Sequence, residues 1–286
     1  MTIFTQFFAK SIFSAVMFFS FSSFVSTCET AISSGNPIEN LGDHPKDSII
    51  TLNTQLDFIK VIAEVSRNTN SLYVFDVDNT LLITNENKFG SDWWYAQTKE
   101  NPSLKLNVSS TCLFGELTPL FYSTLSTTPV FPDQAGVMDL LEEPSNKTIA
   151  LTSRGYSPIV ASATELELIE NNFDFLDEDS LALKNGVVML NNVIYTKGKN
   201  KGVALLEYLE KYPFENIYYF DDSYYKVENV QNAFAAAGKP VSLYHMKIAP
   251  KIPYTEEEIN YMKAKLCSVI EDLQTMGNTE CKCKNP

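Results

Sequence analysis

Apolar residues fall along this chain in two rhythms that take turns. Short unbroken runs, rich in aromatic and β-branched side chains, occur at Leu72-Tyr73-Val74-Phe75, Thr148-Ile149-Ala150-Leu151, Ile217-Tyr218-Tyr219-Phe220 and over residues 241–245. A run without polar alternation reads as a strand covered on both faces, the pattern of a parallel sheet. Between the runs the apolar spacing changes to three and four. Leu56, Ile59, Ile62 and Ala63 form a stripe widened by Phe58, Val61 and Val65, which predicts an amphipathic helix over residues 54–66. Ser157 followed by Pro158 marks a capped helix start. Val203, Leu206 and Leu209 predict a helix that opens near Gly198–Gly202 and runs through Tyr212. Another helix should run to Ala237, and Thr255 with Glu258 forms a capping box for one ending near Thr275. Asn191-Asn192, between residues 187–190 and 193–195, is a hairpin signal. Strands alternating with helices predict an α/β fold with a doubly wound, Rossmann-like parallel sheet.

Three stretches break that alternation. Residues 83–147 are too long for a loop and too aromatic for a disordered linker, so they read as a mostly helical cap inserted after the first strand. Trp93 and Trp94 sit side by side in it, either as the cap's own core or as a wall of a substrate pocket. Residues 1–28 carry one charge, Lys10, ahead of an apolar stretch over 11–25, which reads as a cleaved signal peptide. Thr27 makes a poor lipoprotein box ahead of Cys28. Residues 29–47, rich in Ser, Gly, Asn and Pro, read as a flexible mature N-terminus. The core then comprises residues 48–82 and 148–280. The expected location is outside the cytoplasm, periplasmic or secreted, with no stable membrane span in the mature protein.

The chain has 286 residues, 44% of them hydrophobic, enough for one large domain with a cap. Its formal charge of −13 becomes −14 once Lys10 leaves with the signal. A surface that acidic repels phosphate backbones and anionic lipids, which excludes nucleic acid as a polymeric partner. A small phosphorylated substrate remains compatible if the site is locally positive. Four cysteines follow Cys28: Cys112, Cys267, Cys281 and Cys283. That even number suits an oxidising compartment, with Cys267 able to pair with Cys281 or Cys283. Their spacing, with only His44 and His245 in the chain, does not fit a zinc site. Neither histidine fits a metal or triad pattern.

The candidate chemistry lies where the apolar runs end. Asp76 and Asp78 close the first, in the form Asp-x-Asp-x-Thr. Ligands in open α/β sheets bind beyond the carboxyl ends of strands. An EF-hand loop is excluded, because its sixth position needs Gly and here carries Leu81. Thr152, Ser153 and Arg154 close the second run, and Asp221-Asp222 the third. Lys197, Lys199 and Lys201 precede a helix, and Lys201 is preferred because Gly202 and the helix's apolar positions follow it directly.

In order and residue type, these ends resemble the four motifs of the haloacid-dehalogenase (HAD) superfamily. The signal segment, Leu-Thr-Ser-Arg-Gly and Asn-Lys-Gly resemble a family of secreted bacterial HAD-like proteins. The resemblance implies a Mg²⁺-dependent phosphatase acting on a small phosphomonoester. Asp76 would be the nucleophile, Asp78 the acid and base, Thr152 a donor to a phosphoryl oxygen and Lys201 the neutralising cation. Asp76, Asp221, Asp222 and the Asp78 carbonyl would hold the metal. Ser153, Arg154, Trp93 and Trp94 are candidate substrate contacts, though Arg154 reads equally as the partner of an acid. The contrasting expectation is a HAD-fold interaction protein at a cell surface or in a host, with lapsed catalysis. Oligomeric state is not legible.

Overall fold

The computed structural model describes residues 48–85, 90, 117–175, 177, 179–250 and 254–275. The expected signal peptide and mature N-terminus, Trp93, Trp94 and every cysteine but Cys267 lie outside the described residues. In chain order the elements are β1 (Ile49–Leu52), α1 (Gln55–Val65), β2 (Ser71–Phe75), β3 (Leu82–Thr84), α2 (Thr118–Tyr122), β4 (Thr127–Pro129) and α3 (Gln134–Met138) with a 3₁₀ turn (Asp139–Leu141). Then come β5 (Lys147–Thr152), α4 (Pro158–Glu170), β6 (Ser180–Ala182), β7 (Val188–Leu190), β8 (Val193–Tyr195), α5 (Lys201–Lys211), β9 (Asn216–Asp221), α6 (Tyr224–Ala237), β10 (Ser242–Met246) and α7 (Glu256–Thr275).

Eight strands form one sheet in the order β1-β10-β9-β2-β5-β8-β7-β6. It is parallel from β1 through β8, and β7 and β6 are antiparallel. The architecture is α/β, a mostly parallel sheet flanked by helices. β2 lies between β9 and β5, so three strands that end in polar groups are neighbours. Its five residues are all buried, as a strand covered on both faces requires.

Alternation along β2 sorts its side chains into two layers. Leu72 and Val74 join Ile149, Leu151, Ile217 and Tyr219 in a cluster with Leu205 and Tyr208 of α5 and Val227, Val230 and Phe234 of α6. Tyr73 and Phe75 lie on the other face in a cross-strand aromatic ladder. Phe75 stacks on Phe220 at 4.6 Å, Phe220 on Tyr244 at 4.6 Å, and Tyr73 on Tyr218 at 5.2 Å. Phe58 of α1 closes this layer edge-on against Phe220. Each such pair adds about 0.5–1.5 kcal/mol beyond the area it buries.

The helix signals match local chemistry. Thr54 and Asp57 form a reciprocal capping box, Ser157 accepts from the Val160 N–H, and Asn200 accepts from Gly202 and Val203. The α7 cap pairs Thr255 with Glu258 in the same reciprocal way. Asn191 and Asn192 take φ of 49° and 60°, the pair of positive values a type I′ hairpin turn needs.

The described part of the insertion, residues 83–85, 90 and 117–147, mixes short strands with short helices. Among its described residues, β3 and β4 form an antiparallel ribbon beside two helices of five residues. Three-residue strands are too short to leave a period-two signal. Phe131, just before α3, packs on Phe58 at 5.3 Å, so this end of the insertion rests on α1. Cys267 in α7 is disulfide-bonded, to a partner outside the described residues. No described helix is long and apolar enough to cross a membrane.

Candidate functional site

Asp76 follows β2 directly and donates its N–H to Phe220 O at 2.9 Å, so the β2–β9 ladder fixes its backbone. The chain then folds back tightly. The N–H groups of Leu81 and Leu82 both reach Val77 O, at 3.0 and 2.9 Å, and Asn79 turns at φ 61°. Asn tolerates that left-handed geometry better than most residues. The buried Thr80 hydroxyl accepts from the Asp222 N–H at 2.9 Å, tying this loop to the end of β9.

Lys201, the first residue of α5, is fully buried. Its Nζ lies 2.7 Å from Asp76 Oδ1 and 2.7 Å from Asp221 Oδ2. Asp221 also accepts from the Tyr219 hydroxyl and, at 2.8 Å, from the Ser223 N–H. Burial pushes the Asp76 carboxyl up to about 7; Lys201 opposes the rise, and Asp221 and Asp78 add to it. Burial alone would strip Lys201 of its proton, but Asp221 and Asp76 outweigh it and hold the ammonium above its ordinary range. Lys197 and Lys199 are both exposed, so of the three lysines Lys201 alone enters this cluster.

Carboxylate oxygens of Asp76, Asp221 and Asp222 lie within 4.8 Å of one another. An all-oxygen donor set suits a hard cation such as Mg²⁺. Even with the Lys226 ammonium near Asp221 and Asp76, the three carboxylates outnumber the two ammonium groups and leave negative charge for a metal to balance. The residues therefore suit a hard divalent cation, the class of ion that the HAD resemblance implies.

The Asp78 carboxylate is engaged elsewhere. Arg154 Nε donates to its Oδ2 at 3.1 Å and Nη2 to its Oδ1 at 2.9 Å, a two-pronged pair. Arg154 Nη1 reaches Glu167 Oε2 at 2.7 Å and Thr164 Oγ1 at 2.9 Å, both on α4. Its guanidinium lies 4.2 Å from the Tyr122 ring centre. Burial raises the Glu167 carboxyl, with Arg154 partly offsetting it. Thr152 ends β5, two residues beyond Ala150, the register partner of Phe75. Its hydroxyl accepts from the Arg154 N–H at 3.1 Å. Ser153 is half-buried, and its carbonyl accepts from Gly198 N–H at 2.9 Å.

Residues 54–277 match the family described as Protein of unknown function (DUF2608), a span that includes every described site residue. The chain belongs to this family. Among curated proteins, none matches it.

Several groups in this DUF2608 site carry no sequence signal of their own. Thr80 lies inside the Asp-x-Asp-x-Thr pattern, but its bond to Asp222 spans 142 positions. Gln134 Nε2 holds Thr80 O at 2.9 Å. His245, read as structural or surface, brings Nε2 to 3.1 Å from Asp222 O. Glu167, Thr164 and Tyr122 meet Arg154 only through the fold. A separate open cavity of about 650 Å³ lies at the amino-terminal end of the sheet, lined by Asp139, Glu142 and Asp174 with Lys147 and Thr148. It is remote from these strand ends.

Proposed function

We propose that this chain is an exported HAD-like phosphatase that hydrolyses a small phosphomonoester with Mg²⁺ through an aspartyl-phosphate at Asp76. The observation that carries the reading is the Lys201 ammonium, 2.7 Å from both Asp76 and Asp221, with Asp222 in reach of the same point. Buried carboxylates sharing one cation are costly unless they serve a site. The reading includes a doubly wound core and residues 83–147 as a cap over the crevice. Export rests on the composition of residues 1–28 and is supported by the disulfide at Cys267, a bond of oxidising compartments.

In this mechanism one Asp76 oxygen attacks phosphorus as the ester P–O bond breaks. Asp78 gives its proton to the leaving oxygen and then takes one from the water that hydrolyses the acyl phosphate, releasing phosphate and restoring Asp76. Lys201 holds the nucleophile and offsets transferring charge, and the Thr152 hydroxyl donates to a phosphoryl oxygen. Bound Mg²⁺ would be held by Asp76, Asp221 and Asp222 and would relieve the repulsion between carboxylate and phosphate.

The test is hydrolysis of para-nitrophenyl phosphate with Mg²⁺, with chelator, and by Asp76→Asn. Turnover that needs the metal and vanishes in the variant supports the reading. Equal background in all three samples would instead favour an interaction protein.

A further inference from the structure

Resting on the phosphatase reading, we infer that Arg154 is the positioning residue that aims Asp78, and that Glu167 in turn holds Arg154. The two sequence readings of Arg154, substrate anion or acid partner, part company on geometry. The Arg154 side chain is 1% exposed. Nε and Nη2 are committed to Asp78 and Nη1 to Glu167 and Thr164, beneath the Tyr122 ring. A guanidinium so enclosed cannot present its fork to an incoming phosphate. It does fix Asp78, because two parallel bonds set the plane of the carboxylate as well as its position. Each Asp78 oxygen keeps a second lone pair clear of the fork, one of which must carry the proton that passes to the leaving oxygen, and the side chain is 17% exposed, so this open edge can meet a leaving group.

Glu167 supplies the second argument. It is 4% exposed on α4, and its Oε1 is buried with no hydrogen-bond partner among the described residues. An apolar residue there would avoid that unsatisfied oxygen. What Glu167 contributes is a 2.7 Å anchor for Arg154 on the side away from Asp78. Without it the fork could rotate, and the aim of Asp78 would go with it.

The assignment makes a prediction that a merely structural ion pair does not. Aim matters most when the leaving oxygen needs a proton. A para-nitrophenolate departs readily without one, whereas a phenolate depends more on the acid. kcat/KM, which covers the steps through departure of the leaving group, should be measured on phenyl phosphate and para-nitrophenyl phosphate for Arg154→Lys and for Glu167→Gln. The second variant keeps the size and hydrogen bond of Glu167 and tests the same link if the first fails to fold. Arg154→Lys should lose at least about tenfold more on phenyl phosphate than on its nitro counterpart, within the usual range for a general acid. Glu167→Gln should lose less, in the same direction. Adding either to Asp78→Asn should cost little further, because both act through Asp78. Equal losses on the two substrates, or additive losses with Asp78→Asn, would overturn the assignment alone. No Mg²⁺-dependent turnover by the unsubstituted chain would overturn the phosphatase reading and this assignment with it.

Discussion

Two residues apart on one strand end, Asp76 and Asp78 are each gripped by a buried cation that also grips a second carboxylate. The Lys201 ammonium joins Asp76 to Asp221, and the Arg154 guanidinium joins Asp78 to Glu167. The cations differ in what they fix. An ammonium is a compact point charge, and the Lys201 bond goes to one Asp76 oxygen, Oδ1, which leaves Oδ2 outside that bond. A guanidinium fork takes both oxygens of Asp78 and so fixes its plane. A nucleophile needs one oxygen able to move onto phosphorus, whereas an acid needs a fixed direction for its proton. On the proposed phosphatase reading, with Asp76 as nucleophile and Asp78 as acid, the choice of Lys in one triad and Arg in the other matches that division. The acidic cavity at the far end of the sheet sharpens the point: Asp139 and Glu142 gather there near Asp174, while Lys147, which lines the same cavity, reaches Asp177 at 3.9 Å.

The harshest way to break the comparison is Lys201→Met. Asp76 and Asp221 would then face each other, buried and without their shared cation. Removing one partner of a buried ion pair typically costs about 3–5 kcal/mol. Denaturant unfolding at neutral pH should show a loss of that size. Adding Asp221→Asn should recover part of it, because one orphaned charge is gone. A loss below about 1 kcal/mol would mean that water already screens this triad.

Gly202→Ala attacks the same triad from behind. A Cβ on Gly202 would lie 2.7 Å from Ala233 Cβ, 2.8 Å from Val230 Cα and 3.0 Å from Asn229 O. Backbone atoms cannot yield as a flexible side chain can, so α5 must move away from α6 and carry Lys201 with it. Overpacking of this kind costs about 1–3 kcal/mol. The loss in kcat should exceed that of a control such as Val203→Ala, since Val203 is 45% exposed one residue on.

How much of this was legible follows from where each signal lives. A central parallel strand must be apolar throughout, so β2, β5 and β9 stand out, and the polar residues that end them stand out with them. Lys201 could be chosen over Lys197 and Lys199 because Gly202 follows it, and the close α5–α6 approach explains that glycine. What could not be read is contact made across the fold. Glu167 is an ordinary helical acid until α4 brings it to Arg154, and His245 looks idle until β10 lies beside β9. β1, β3, β4 and β6 are edge or ribbon strands of three or four residues, too short for periodicity to declare. The Asp-x-Asp-x-Thr pattern contained Thr80, but only the fold brings Asp222 to it.

Acid and base sharpen the contrast without any substitution. The Asp76 carboxyl is raised to about 7 in the folded chain from an ordinary 3.8. Between those values the folded state keeps a proton that the unfolded state has released. The contribution of Asp76 to stability is therefore full below about pH 4 and declines as pH rises toward 7. The decline is on the order of 1 kcal/mol per pH unit for one proton. Thermal melts of metal-free protein should fall over that window, and Asp76→Asn should flatten the fall. On the proposed reading Mg²⁺ should oppose it, because a cation held by Asp76 would favour the deprotonated form. Melting points that rose steadily from pH 4 to 7 would contradict the charge balance assigned to this triad.

The mildest probe is His245→Ala. His245 Nε2 lies 3.1 Å from Asp222 O, and its ring meets Tyr224 edge-on at 5.4 Å. The alanine variant should lose about 1 kcal/mol of stability, the usual worth of one such bond. If Asp222 is a metal ligand, its backbone must also be held still, and the variant should bind Mg²⁺ up to about tenfold more weakly by calorimetric titration. His245 meets the Asp222 backbone and the Lys201–Asp76 contact is between side chains, so the pH dependence of the metal-free melt should keep its shape. A variant that loses metal affinity while keeping that shape separates the cation that holds Asp76 from the framework that holds Asp222. A change in both together would mean the two are one rigid unit.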